Sequence, residues 1–122
     1  MANNQAITIL RGDTSFVDIA AKDIYGDPLD LTGCSVWFTI KRSLTDSDDD
    51  ALVAKTLLDG INVTSAIDGL ATVTIDPEDT DSMTVPILGA YYDVQIKDTF
   101  TNIFTIAKGT INIVNDVTRS NS

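Results

Sequence analysis

The sequence predicts an all-β protein: one domain, built as a sandwich of two antiparallel sheets from about seven or eight short strands. Three observations carry that expectation. Thr, Ile and Val supply 39 of the 122 residues. Their β-branched side chains lose freedom in a helix and suit a pleated surface. Of the 18 acidic residues, 17 are Asp and only Glu78 is Glu. Asp competes with its own backbone and favours turns and caps, so the acids belong in connections rather than helices. Finally, short runs of alternating apolar and polar residues are separated by Gly, Asp and Pro. A small barrel is the alternative way to arrange the same strands.

The elements follow in order. Ile7 to Leu10 reads as a strand, ended by the turn Arg11-Gly12-Asp13. Phe16 to Ala21 is a second, with Val17, Ile19 and Ala21 on one face. Asp23 to Gly33 carries turn signals, and within it Leu29 and Leu31 alternate at the edge of the core. Cys34 to Lys41 has the clearest period of two: Cys34, Val36, Phe38 and Ile40 on one face, Ser35, Trp37, Thr39 and Lys41 on the other. Arg42 to Asp50 is a polar loop. Leu52 to Leu57 and Ile61 to Thr64 form a weak strand pair around Asp59-Gly60. Leu70 to Ile75 directs Ala71, Val73 and Ile75 inward. Pro77 to Met83 suits one helical turn, with proline at its start and acids after it. Ala90 to Lys97 is a strand with Tyr92, Val94 and Ile96 inward, and Asn102 to Val114 is a long strand or a hairpin return. In that last segment the Phe104–Ile106 pair and the Ile111–Ile113 pair are out of phase, which predicts a β-bulge at Gly109.

A chain of 122 residues is long enough for one core without staples. The domain is expected to span residues 1–122, with its core over about 7–114 and a short polar tail over 117–122. The net charge of −10 argues against nucleic acid and against an anionic membrane surface, both of which are bound through clustered Lys and Arg. No apolar run of spanning length and no signal-like start is present. With no histidine and a single cysteine, Cys34, neither a Ser-His-Asp triad nor a zinc site of Cys and His can be assembled. The expectation is therefore no enzyme, no cofactor and no metal.

Four groups of residues bear on function. Asp76, Glu78, Asp79 and Asp81 could do acid–base chemistry but lie on a polar turn that predicts solvation. Asp46 to Asp50 offers hard oxygens for a divalent ion, yet it lacks the turn glycine and the distal glutamate of an EF-hand loop. A mobile acidic loop is the simpler expectation, and a calcium- or sugar-binding accessory domain is the lesser alternative. Arg11-Gly12-Asp13 reads as a tight turn, with Gly12 at positive φ and Asp13 bonding the backbone beyond it. Trp37 points out of the core beside Ser35, Thr39 and Lys41, and Tyr91 is placed similarly beside Asp93 and Gln95. Exposed aromatics are typical interface anchors, so Trp37, Tyr91, Arg11 and Asp13 are the candidate partner-contact residues.

One ordered set of segments goes further. It runs Ile-x-Ile-Leu-Arg-Gly-Asp-Thr at 7–14, Asp-Ile-Tyr-Gly-Asp-Pro-Leu-Asp-Leu-Thr-Gly at 23–33 and Val-Trp-Phe-Thr-Ile-Lys at 36–41. It continues with Asp-Gly-Leu-Ala-Thr-Val-Thr-Ile at 68–75, Gly-Ala-Tyr-Tyr-Asp-Val-Gln-Ile at 89–96 and Lys-Gly-Thr-Ile-Asn-Ile-Val-Asn-Asp-Val-Thr at 108–118. Over roughly residues 7–118 this resembles the N-terminal domain of the tailed-phage baseplate upper protein and the small immunoglobulin-like phage structural proteins related to it. The resemblance implies an immunoglobulin-like sandwich acting as a non-enzymatic virion structural protein of the tail or baseplate. Such a protein is made in the host bacterial cytoplasm, forms a homo-oligomer and docks onto other virion proteins. A capsid decoration protein, cementing the head surface as an oligomer on the major capsid protein, is the second expectation. The acidity would keep a small sheet protein soluble before assembly and complement a basic partner surface.

Overall fold

The computed structural model describes residues 3–4, 6–43, 51–81 and 83–115. Nine strands and one short helix form the described chain. They are β1 (Asn3–Asn4), β2 (Ile7–Leu10), β3 (Ser15–Ala20), β4 (Ser35–Lys41) and β5 (Val53–Leu57). After these come β6 (Gly60–Ser65), β7 (Leu70–Ile75), α1 (Pro77–Thr80), β8 (Ile87–Lys97) and β9 (Ile103–Val114). The protein is all-β. Hydrogen bonds link its strands into one sheet in the order β1-β9-β8-β4-β5-β6-β7-β3, with β2 also on β9. The end strands β2 and β3 are joined by the turn at residues 11–14, so the sheet curls back on itself and is nearly closed.

The pairing differs from an all-antiparallel arrangement in two places. β1 and β2 run parallel to β9, with Ile7 opposite Ile111 and Ile9 opposite Ile113. β5 and β6 were expected to pair around Asp59-Gly60, but they are parallel and share only two positions, Thr56–Gly60 and Leu57–Ile61. The turn between them hands the chain from β4's partner to β7's partner, because Leu58 and Gly60 both take positive φ (65° and 97°).

Alternation fixes the core. Val36, Phe38 and Ile40 of β4 are at most 1% exposed, and the Tyr92 ring lies 5.9 Å from that of Phe38 in a tilted contact. Val73 and Ile75 of β7, Val94 and Ile96 of β8, and Ile111 and Ile113 of β9 complete the same cluster. Leu31 is buried and Leu29 packs at the margin, as their alternation implied. Gly69 shows how tightly the connections meet: its φ is +72°, and a Cβ there would lie 2.6 Å from the Ala21 carbonyl and 2.7 Å from that of Leu29.

The phase change on β9 is real, but it falls at Ile106 rather than Gly109. Gln95 pairs with Thr105 and Val94 with Ala107, which leaves Ile106 as the extra residue, itself buried. Gly109 pairs in register with Tyr92. A second irregularity lies on β8 between Ile87 and Ala90, where Gly89 takes positive φ and donates its N–H to Asn112 Oδ1 at 2.9 Å. That bulge lets β8 begin at Ile87, earlier than the alternation of Ala90 to Lys97 suggested.

Candidate functional site

The outward faces of β4, β8 and β9 form a groove of about 800 Å³. Register places its residues in rows across the strands. Thr56, Trp37, Gln95 and Thr105 make one row. Ala54, Thr39, Asp93 and Lys108 make the next. Lys41, Tyr91 and Thr110 make the third. Trp37 is half-buried in the first row and Tyr91 exposed in the third. Four residues separate the two rows along the strands, roughly 13 Å. Each side chain rises from a paired strand, so the geometry is set by the sheet and not by a loop. Gln95 Nε2 donates to Thr105 Oγ1 at 3.3 Å across the first row. Ile103 closes the groove towards the β8–β9 turn, where Phe100 is strongly exposed.

Two of the four residues singled out from sequence thus lie together on one surface. Arg11 and Asp13 lie elsewhere, at the turn joining β2 to β3. That turn is seated on α1: the Gly12 N–H donates to the buried Thr80 Oγ1 at 2.9 Å, and Arg11 Nη1 lies 3.5 Å from the Met83 carbonyl. Gly12 has the expected positive φ, and the Asp13 N–H donates to Leu10 at 3.2 Å. The tripeptide is a packed joint, with all three residues half-buried. The sequence placed Thr39 and Lys41 beside Trp37 and Asp93 beside Tyr91, but it neither joined the two sets into one groove nor reached Lys108 and Thr110. Outward alternation marks each of them, but only the register of β8 against β4 and β9 places them side by side.

The groove also reverses the sign of the expected electrostatics. The chain carries −10 overall, yet among the described residues the groove is lined by two lysines, Lys41 and Lys108, and one acid, Asp93. Among the described residues, acids cluster notably at α1. There the Lys55 ammonium sits 2.7 Å from Asp79 Oδ2 and 3.7 Å from Asp76 Oδ2. Burial opposes the charge on Lys55, but the Asp79 hydrogen bond and the charges of Asp79, Asp76 and Asp59 outweigh it and hold the ammonium above its ordinary pKa. Asp79 also accepts the Asp76 N–H at 2.7 Å. The expected solvated acidic turn is therefore half a salt bridge. These carboxylates neutralise a cation and shape a helix start, which is structural work.

Cys34 is buried, and burial with the nearby Asp98 and Asp30 charges pushes its thiol pKa up, which disfavours the nucleophilic thiolate. Among the described residues no three acids or cysteines converge as a metal site requires. The Asp46–Asp50 loop lies outside the described residues. No helix among the described residues is long and apolar enough to cross a membrane. No protein-family model matches the chain, and a search of curated proteins finds none similar to it.

A second opening is smaller and of another kind. Between the end strands β2 and β3 lies a slot of about 120 Å³, bounded by Ile7 on one side and Val17 and Ile19 on the other. Tyr92 and Val94 from the core reach its floor. Among the described residues β2 pairs only with β9, and β3 only with β7.

Proposed function

We propose that the protein is a non-enzymatic structural module of a bacteriophage virion, an oligomeric assembly piece of the tail or baseplate that docks onto other virion proteins. The observation that carries the docking role is the open seam between β2 and β3. Two neighbouring sheet edges with an apolar slot between them offer backbone donors and acceptors, plus a place for alternate side chains, to an added strand. The virion assignment rests on the ordered resemblance of residues 7–118. The chemistry of the described surface is compatible with it: the acids are engaged in turns and a salt bridge, and the thiol is buried.

On this proposal the fold is an immunoglobulin-like sandwich. Its smaller layer is β3-β7-β6 and its larger layer β5-β4-β8-β9-β2. The supporting feature is the corner at Leu58–Gly60, where the β5–β6 contact narrows to two positions.

Gold-labelled antibody on purified virions tests the role. Label at the tail tip is expected. Label over the head would make the protein a capsid decoration component instead. Absence of the chain from the virion's mass spectrum would overturn the structural role altogether.

A further inference from the structure

The groove of β4, β8 and β9 differs in its anatomy from a protein-docking patch. Protein interfaces place aromatic anchors centrally, deplete charge there and keep polar groups at the rim. Here the order is inverted. Trp37 and Tyr91 stand at the two ends, and the middle row between them holds Thr39, Asp93 and Lys108 beside Ala54. A flat apolar partner would have to desolvate that row without matching it, at a cost for each polar group left unpaired.

A ligand that suits this order has apolar faces at intervals and hydroxyls between them. Sugar rings have both: one face of C–H bonds to lie against an aromatic ring, and equatorial hydroxyls to meet carboxylate, amide, hydroxyl and ammonium groups. The roughly 13 Å between the aromatic rows corresponds to a few linked sugar units. The volume of about 800 Å³ lies within the range of small-ligand sites. The floor is formed by hydrogen-bonded strands, so it is organised before any ligand arrives. Charge selects further. Among the described residues two lysines and one aspartate line the groove, so its own charge favours an anionic ligand although the chain carries −10.

We propose that this groove binds an extended acidic oligosaccharide, with sugar rings stacked on Trp37 and Tyr91. Asp93 and Gln95 take hydroxyls, and Lys41 and Lys108 face the anionic groups. This binding is separate from docking at the β2–β3 seam. A protein absent from virions would still bind the glycan, and one that binds no glycan would keep its docking seam.

Trp37 is the only tryptophan of the chain, so its emission reports on the groove alone. The test is an array of uronate-, sialate- and sulfate-bearing glycans, followed by fluorescence titration of the full chain with the bound members. Neutral oligosaccharides of equal length and poly-glutamate serve as controls. A saturable change in emission is expected with an acidic oligosaccharide, at least tenfold tighter than with its neutral counterpart. Tyr91→Ala should weaken binding at least tenfold, and Lys108→Gln should lower affinity for the acidic ligand only. Both positions are exposed, so both variants should keep the parent's unfolding midpoint. An array with no bound acidic glycan would overturn the proposal. So would poly-glutamate binding as tightly as the sugar, neutral sugars binding equally well, or affinity unchanged in Tyr91→Ala.

Discussion

At Lys55 a cation enters the margin of the core because two carboxylates meet it there. The residue is 8% exposed, and its inward position on β5 follows from alternation with Val53. Its stem packs against Gly60, where even a methyl group would collide with the side chain's Cδ. An apolar side chain in its place would leave Asp79 facing a dry contact. Lys55→Met is expected to cost about 2 kcal/mol, the loss of a charge-assisted hydrogen bond at a mostly buried site. Its pH dependence has a definite sign. The folded state holds the ammonium above the ordinary lysine value of about 10.4, so folding favours the protonated form. The contribution is fully present below that value and is lost as pH rises through the higher folded pKa. Urea unfolding of parent and variant should therefore differ most at neutral pH and converge in strong alkali. A gap that persists unchanged across alkaline pH would assign Lys55's role to packing alone.

Most strands were legible as elements because their inward positions are Val, Ile, Phe and Ala at a strict period of two. β2 and β7 match the expected bounds residue for residue, β4 starts one residue later, and β3 is shifted by one residue at both ends. The single turn at Pro77 was legible from its proline and acids, although its carboxylates serve Lys55 and not solvent. What failed was the handling of irregularities. An out-of-phase pair on β9 shows that an extra residue exists, but which residue is squeezed out depends on the partner strand, and β8 selects Ile106. The β5–β6 turn misled for a related reason. Asp59-Gly60 resembles a hairpin signal, yet Leu58 before it also takes φ 65°, and the chain turns out of the pair instead of back along it. Leu58 is almost fully exposed, so its side chain gains little there. An L residue in the left-handed region costs about 1 kcal/mol that glycine does not incur. Leu58→Gly is therefore expected to stabilise the fold by several tenths of a kcal/mol, since added chain entropy offsets part of the gain. Thermal unfolding would detect it as a small rise in Tm. A lowered Tm would mean that the corner tolerates the strain for a contact the leucine makes.

At the scale of the whole molecule, the groove was half legible: Trp37 and Tyr91 stood out, and the charged row between them needed the register. The closing contact was not legible at all. Nothing in Ile7 to Leu10 signals a parallel partner, since its alternation would serve an antiparallel neighbour equally well. Yet β2, like β1 before it, lies along β9, so the first strands are tied to the last. Such pairing spans nearly the full sequence and closes a long loop, so it rewards the fold only after most of the chain is ordered. Its removal has a predictable result. A variant beginning at Thr14 loses the Ile9 side chain, and it bares the β9 edge beside Ile111 and Ile113, both fully buried in the parent. Burying an isoleucine contributes about 2 to 3 kcal/mol. Losing one and exposing two more would consume much of the ~5–15 kcal/mol that holds a typical domain together. The truncated chain should lose cooperative unfolding. A synthetic peptide of residues 6–13 added in trans should restore it, because the parallel slot on β9 accepts a strand whether or not it is tethered. A peptide with Ile7 and Ile9 replaced by Asp should not. Full cooperativity in the truncated chain alone would show that β2 is an ornament on β9 and that β8 by itself secures the last strand.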